Sequence, residues 1–380
     1  MLRVLVVNAG SSSLKLSLLG SGEEPLAAED VAAPRTEIDA AQLRTALDSG
    51  LGDADAVGHR VVHGGSRFRE AVVVDDGVRR ALGELVDLAP LHQPKSLAAL
   101  DAVSTALAGV PAVACFDTAF HATLPAAAAT YALPADWSAR WGVRRYGFHG
   151  LSHGWIARRA PDVLGAPADD LRTVSCHLGA GASLCAIAGG RSVDTTMGFT
   201  PLEGLVMATR SGSIDPGLLL WLLERGDMSE SELGDALEHE SGLLGLSGTA
   251  DMREVVTRAG AGDAAARLGL EVYVHRLRAG IASMAAAMGG LDVLAFTGGV
   301  GERSADIRRA AAAGVAFLGV AVDPERNERV SGDAEISSAG AAARTVVIRA
   351  REDLEIAAQV RSVLETGADL GSHRTTSACA

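Results

Sequence analysis

Several short stretches carry side chains whose types and spacing suit the handling of anions. Asn8-Ala9-Gly10-Ser11-Ser12-Ser13, followed by Lys15, combines small residues, hydroxyl donors and an ammonium group. Small residues let backbone N–H groups converge on an anion, because no Cβ blocks the approach. His177-Leu178-Gly179-Ala180-Gly181 offers a second run of the same character. Ordinary hairpins use such turns too, but one of only two lysines in the chain falls in the first, which favours phosphate. Arg60 lies in an apolar run bounded by glycines, Gly58-His59-Arg60-Val61-Val62-His63-Gly64-Gly65. A buried guanidinium is costly unless paired, so Arg60 should meet a carboxylate, the protein's own or a substrate's. Arg210, within Met207–Pro216, is a second arginine in a turn-rich setting; either cation alone also fits a plain ion pair. Asp117 follows the apolar run Pro111–Phe116, at the carboxyl end of a strand, where sites in α/β sheets form. It suits a metal ligand or a cap. Thr297–Glu302 leads from a strand to a helix N-terminus fit for an anion. Glu352 opens the last helix, where an acid is expected for dipole reasons as well.

Other patterns point elsewhere and carry less. Gly150-Leu151-Ser152-His153-Gly154 matches the G-x-S-x-G elbow of serine hydrolases, but Trp141–His149 before it does not read as a buried strand. His149 with His153, and His59 with His63, have the spacing of helical metal ligands without the glutamate of H-E-x-x-H. His149, between Phe148 and Gly150, reads better as a donor in a tight site or as packing. Neither Lys15 nor Lys95 follows a glycine, so a Walker A loop is excluded, and no G-x-G-x-x-G occurs.

These candidates need elements to hold them. The chain has 380 residues, 48% apolar and 21% charged, enough for two domains with sizeable cores. Its formal charge of −13 and the lack of any basic run argue against a general nucleic-acid or acidic-membrane binder. Cys115, Cys176, Cys185 and Cys379 form no C-x-x-C pair, and a reduced thiol in an apolar run behaves as a small hydrophobe. No signal peptide and no membrane-length apolar run are evident, so a soluble, cytoplasmic protein is expected. Leu2–Val7 and Leu14–Leu18 read as a hairpin around the first small-residue turn, and Thr173–Leu178 with Ser183–Ile187 repeats that plan about 170 residues later. Further strands are expected at Ala56–Val62, Pro111–Phe116, Leu291–Phe296 and Thr345–Ile348. Helices are expected near Ala40–Leu47, Val78–Leu88, Ser96–Leu107, Gly217–Leu223, Glu230–Glu240, Ala264–Met288, Ala305–Ala313 and Asp353–Leu364. The mixture predicts α/β domains, the recurring hairpin predicts a duplication, and the tail from Gly367 reads as disordered.

Taken in order, the segments resemble the acetokinase family, the acetate kinases of the actin-like ATPase and sugar-kinase superfamily. The resemblance is carried by Val4–Leu18, Gly58–Gly65, Leu88–Pro94, Cys115–Pro125, Arg145–His153, Cys176–Ser183, Asp194–Gly217, Ser241–Gly248 and Phe296–Ser304. It implies two ribonuclease-H-like domains with a central cleft: residues 1–118 with about 353–366, and residues 119–352. It also implies a homodimer, ATP or ADP and acetate as substrates, and Mg²⁺ or Mn²⁺. By the same resemblance Asp117, His149 and Arg210 act in the chemical step and Arg60 binds acetate. Asn8 and Glu352 help hold the metal. Nucleotide contacts fall to Ser11, Ser13, Lys15, His177, Leu178, Gly179, Ala180, Gly181, Asp251, Met252, Arg253, Gly299, Val300, Gly301, Glu302 and Arg303. The chain departs from the family pattern at Gln93, Ala180, Ala208, Ser213 and Arg303. The rival readings are a propionate or butyrate kinase of the same family and a nucleotide-binding relative without catalysis.

Overall fold

The computed structural model describes residues 2–10, 13–33, 38–90 and 93–375, with side chains through 366. The described chain forms two compact units, Met1–Ala122 with Gly150–Trp155 and Arg351–Ala380, and Thr123–His149 with Ile156–Ala350.

The first unit is built on a six-stranded sheet: β1 (Val4–Ala9), β2 (Ser13–Leu19), β3 (Pro25–Ala32), β4 (Ala56–Val61), β5 (Val72–Val73) and β6 (Ala112–Phe116), in the order β3-β2-β1-β4-β6-β5. β1 pairs antiparallel with β2 and parallel with β4, and β4 runs parallel to β6. Strand side chains alternate between faces, and here each face has its own cover. Leu5 and Val7 join Leu43, Ala99 and Val103 from helices Ala40–Ala46 and Gln93–Ala106. Val4 and Val6 join Ile356, Ala357 and Val360 of helix Glu352–Thr375. Burial on both faces explains why β1 reads as a continuous apolar run rather than an alternating one. At Gly58 of β4 an added Cβ would lie 2.5 Å from Ile356 and 2.8 Å from Val360, so the absent side chain lets the last helix lie close. That helix runs on to Thr375, past Gly367, where the sequence pattern placed a tail. Residues 376–380 of the expected tail, Cys379 among them, lie outside the described residues.

The second unit repeats the plan. Its strands are β7 (Arg172–Leu178), β8 (Ala182–Ala188), β9 (Arg191–Thr195), β10 (Val293–Thr297), β11 (Ala334–Glu335) and β12 (Arg344–Val347). Their order, β9-β8-β7-β10-β12-β11, matches the first sheet strand for strand, with the same parallel and antiparallel senses. This is the ribonuclease-H-like arrangement twice over, an α/β fold. Helix Ala264–Ala287 packs on β7, β8 and β9, its N-terminus capped by Asp263, whose carboxylate accepts from Ala265 and Ala266 N–H. Strands β3, β5, β9 and β11 went unpredicted, as did helices Ala135–Trp141, Gly150–Leu164, Gly242–Ser247, Met252–Gly260 and Pro324–Arg329. The four strands are the edges of the two sheets, polar or only two residues long, with too little periodicity to read.

Candidate functional site

In the first unit the carboxyl ends of β1, β4 and β6 lie side by side and deliver Asn8, Arg60 and Asp117. Arg60 donates to Asp117 from Nε (3.1 Å to Oδ2) and from Nη2 (2.6 Å), and from Nη1 to Asn8 Oδ1 (3.1 Å). Glu352, opening the last helix, lies 4.0 Å from Arg60 Nε and accepts from Asn8 Nδ2 at 3.4 Å. Burial alone would lower the Arg60 pKa, but Asp117 and Glu352 outweigh it and hold it above its ordinary value. The expected carboxylate partner of Arg60 is therefore Asp117, whose side chain is 2% exposed. Four residues scattered over 344 positions meet in one polar network. Lys15 pairs with Asn8 across β1 and β2, on the same face of the sheet, and is exposed. The turn between them closes with Gly10 N–H on Ser13 O at 2.8 Å. Ser11 lies outside the described residues.

In the second unit β7 and β8 turn at Gly179–Gly181, closed by Gly179 N–H on Gly181 O at 2.9 Å. His149 stacks on His177, ring centroids 4.3 Å apart, and its Nδ1 is 2.9 Å from Ser183 Oγ. The backbone of His149 is left-handed, φ 55°, an uncommon conformation for a residue with a side chain. Arg210 donates to Pro201 O at 2.7 Å and lies 3.8 Å from Glu238. Burial lowers its pKa, with Glu238 opposing. A Cβ at Gly181 would lie 3.0 Å from Arg210 Nη2 and 3.3 Å from His149 Nε2, so a side chain there would press both back by a few tenths of an ångström. His149, Arg210 and the second small-residue turn thus form one cationic, donor-rich group.

The Gly298–Arg303 helix abuts the same turn: a Cβ at Gly298 would be 2.8 Å from Leu178 O. Gly299, Val300 and Gly301 follow it, and Arg303 is exposed. Glu302 acts as a brace, its Oε1 accepting from Gly298 N–H at 3.1 Å and Ala350 N–H at 2.9 Å. Asp251 caps the helix Met252–Gly260, and pairs with Arg253 at 2.6 Å. Its bonds from Arg253, side chain then backbone, hold its pKa down at about 2. No hydrogen bond among the described residues ties Asp251–Arg253 to the turns.

Gln93 and Ser213, two of the departures from the family pattern, make local hydrogen bonds, and nothing in the structure explains Arg303. Gln93 exchanges two bonds with the His63 backbone, accepting from N–H at 3.2 Å and donating to the carbonyl at 3.1 Å. Ser213 Oγ accepts from Gly204 N–H at 3.0 Å. Ala208 N–H donates to Ala180 O at 3.0 Å, a bond that needs no side chain at either position. Ser152 is fully buried in helix Gly150–Leu164, which disqualifies it as an exposed nucleophile. No cluster of three metal-ligating His, Cys, Asp or Glu exists among the described residues. Cys115, Cys176 and Cys185 are buried thiols, and burial pushes Cys185 up to about 12. Ser183 was read only as the start of a strand and not as a site residue, although it faces His177 in the hairpin register.

The acetokinase family model matches residues 27–358. A Nostoc sp. protein named acetate kinase is 43% identical, the match covering 96% of this chain and all of the relative. The crystal structure of Porphyromonas gingivalis acetate kinase is 35% identical with a TM-score of 0.89, covering 96% of this chain and 100% of that one. A propionate kinase structure from Francisella tularensis is 34% identical with a TM-score of 0.85, covering 94% and 99%. Matches that run through nearly the whole of each partner leave one assignment: the chain belongs to the acetokinase family.

Proposed function

We propose that this protein is an acetate kinase, moving the γ-phosphoryl group of ATP reversibly to acetate to give acetyl phosphate and ADP. The observation that carries the reading is the Asn8–Arg60–Asp117–Glu352 network, because it presents a fixed guanidinium at the carboxyl edge of a sheet. Arg60 pairs with the acetate carboxylate, and Asp117 fixes the guanidinium without taking a proton, since acetate is already ionised at neutral pH. Within the second unit, Arg210, His149 and the turn N–H groups have the charge and donors to offset negative charge on phosphoryl oxygens; within the first, Lys15 and its small-residue turn suit a phosphate as well. Catalysis is then positioning and charge neutralisation rather than base chemistry.

The family uses a divalent metal, and the donors here fit one. Asn8 Oδ1 and Glu352 Oε2 are hard oxygens, and Glu352 is 17% exposed, which suits Mg²⁺ held by few protein ligands and several waters. When bound, the ion neutralises phosphate charge. Helix Pro216–Arg225 supports a homodimer: it has no buried residue, and Leu220 and Trp221 are 63% and 56% exposed. No described helix is long and apolar enough to cross a membrane.

The test is hydroxamate trapping of acyl phosphate with ATP, Mg²⁺ and acetate, beside propionate and butyrate. Acetate is expected to give the highest kcat/KM. A longer acid ahead by tenfold would rename the substrate, a change of about 1.4 kcal/mol, within reach of one methylene in an apolar pocket. No product with any acid would overturn the reading.

A further inference from the structure

A second polar cluster in the same unit as His149 and Arg210 touches neither. Tyr131 donates its hydroxyl to Glu203 Oε2 at 2.5 Å, and that hydroxyl accepts from Phe199 N–H at 2.9 Å. Glu203 Oε1 takes Arg145 Nη2 at 2.6 Å. Arg145 Nη1 donates to the carbonyls of Thr196 (3.2 Å) and Met197 (3.0 Å), and its guanidinium lies 5.4 Å from the Tyr131 ring centre. Three separate stretches of chain are therefore tied by one carboxylate. Beside it, Gly198 O accepts from Tyr146 N–H at 3.1 Å and Gly147 N–H at 3.2 Å. A Cβ on Gly198 would lie 1.7 Å from Glu203 Oε2 and 2.2 Å from the Tyr131 hydroxyl, so the arrangement closes only over glycine.

What the tie holds is the relation between two functional side chains. His149 stands two residues beyond Gly147, at a left-handed φ that persists only where its surroundings fix it. Arg210 is anchored on Pro201 O, two residues before Glu203. Segment 145–149 and segment 196–203 thus set the places of His149 and Arg210, and Glu203 locks one to the other. We infer that Tyr131, Arg145 and Glu203 are positioning residues that hold His149 and Arg210 in register for phosphoryl transfer. The inference rests on the phosphotransfer reading above.

Displacing a catalytic group by 1 Å can cost ~10²-fold in rate. Glu203→Gln and Tyr131→Phe are expected to lower kcat ten- to a hundredfold, on the order of that loss, with KM for acetate and ATP within about twofold. In a background carrying both Arg210→Ala and His149→Ala the same changes should lower kcat no further, because both groups they position are gone. A fold-wide disturbance would instead multiply the two losses and move KM, and that result overturns the proposal, as does full activity of both single variants. The crystal structure of Glu203→Gln supplies a readout independent of turnover. Separation of 145–149 from 196–203 supports the proposal even if the wild type makes no acyl phosphate; an unchanged backbone in both segments refutes it. Gly198→Ala is a second route to the same opening should Glu203→Gln fail to fold. Inactivity of the wild type alone would count against the acetate kinase reading and not against the tie.

Discussion

At the scale of single residues, the two arginines are expected to fail differently. Arg60→Ala should raise KM for the carboxylate substrate, and it should also destabilise the first unit by ~3–5 kcal/mol, since Asp117 stays behind buried without the guanidinium that offsets its charge. Chemical denaturation together with steady-state kinetics separates the two effects; unchanged KM would remove Arg60 from the carboxylate site. Arg210→Ala should instead lower kcat, by as much as ~10³-fold if it acts on the transferring phosphoryl group. Gly181→Ala tests the shared approach to the turn. Its Cβ would crowd Arg210 Nη2 and the His149 ring, so kcat should drop while far-UV circular dichroism stays as in the wild type. Wild-type turnover in this variant would show that neither side chain needs the space.

At the scale of elements, β4 places three unlike demands on adjacent positions. Gly58 must be small for the last helix, Arg60 must reach the polar network, and His59 between them is 1% exposed with neither ring nitrogen hydrogen-bonded among the described residues. Burial depresses the pKa of His59 to about 4, opposed weakly by Asp101, and that of His63 likewise to about 4. The unfolded chain binds these protons near pH 6.5, so unfolding takes up protons between pH 6.5 and 4 and stability falls as pH drops through that window. Each histidine contributes a slope of up to ~1.4 kcal/mol per pH unit. Thermal melts should be level above pH 7 and fall below 6.5, and His59→Gln should flatten the fall by about half if both histidines act alike. A wild-type melting temperature constant to pH 4 would contradict the buried neutral imidazoles.

At the scale of the whole molecule, the outward helix Pro216–Arg225 leads us to expect a dimer by light scattering, and a monomer for Leu220→Glu combined with Trp221→Glu. A monomeric wild type would refute the dimer. The duplicated fold was legible in the sequence because each half opens with an apolar strand, a small-residue turn and a second strand, and short-range patterns of that kind survive without tertiary information. Asn8, Arg60, Asp117 and Glu352 were legible as a family pattern, but not their mutual bonding, which depends on strands far apart in sequence lying side by side. The Tyr131–Arg145–Glu203 tie was invisible for the same reason: no local spacing links positions 131, 145 and 203. The placing of helix Glu352–Thr375 on β1 and β4 also has a bearing on biosynthesis. A ribosome lays down the whole first sheet, then all of the second unit, before it makes the helix that covers Val4, Val6 and Val113. Until then the nascent first unit shows bare apolar surface to chaperones and proteases. An interrupted message therefore yields a chain that lacks Glu352 and is marked for removal by the same omission.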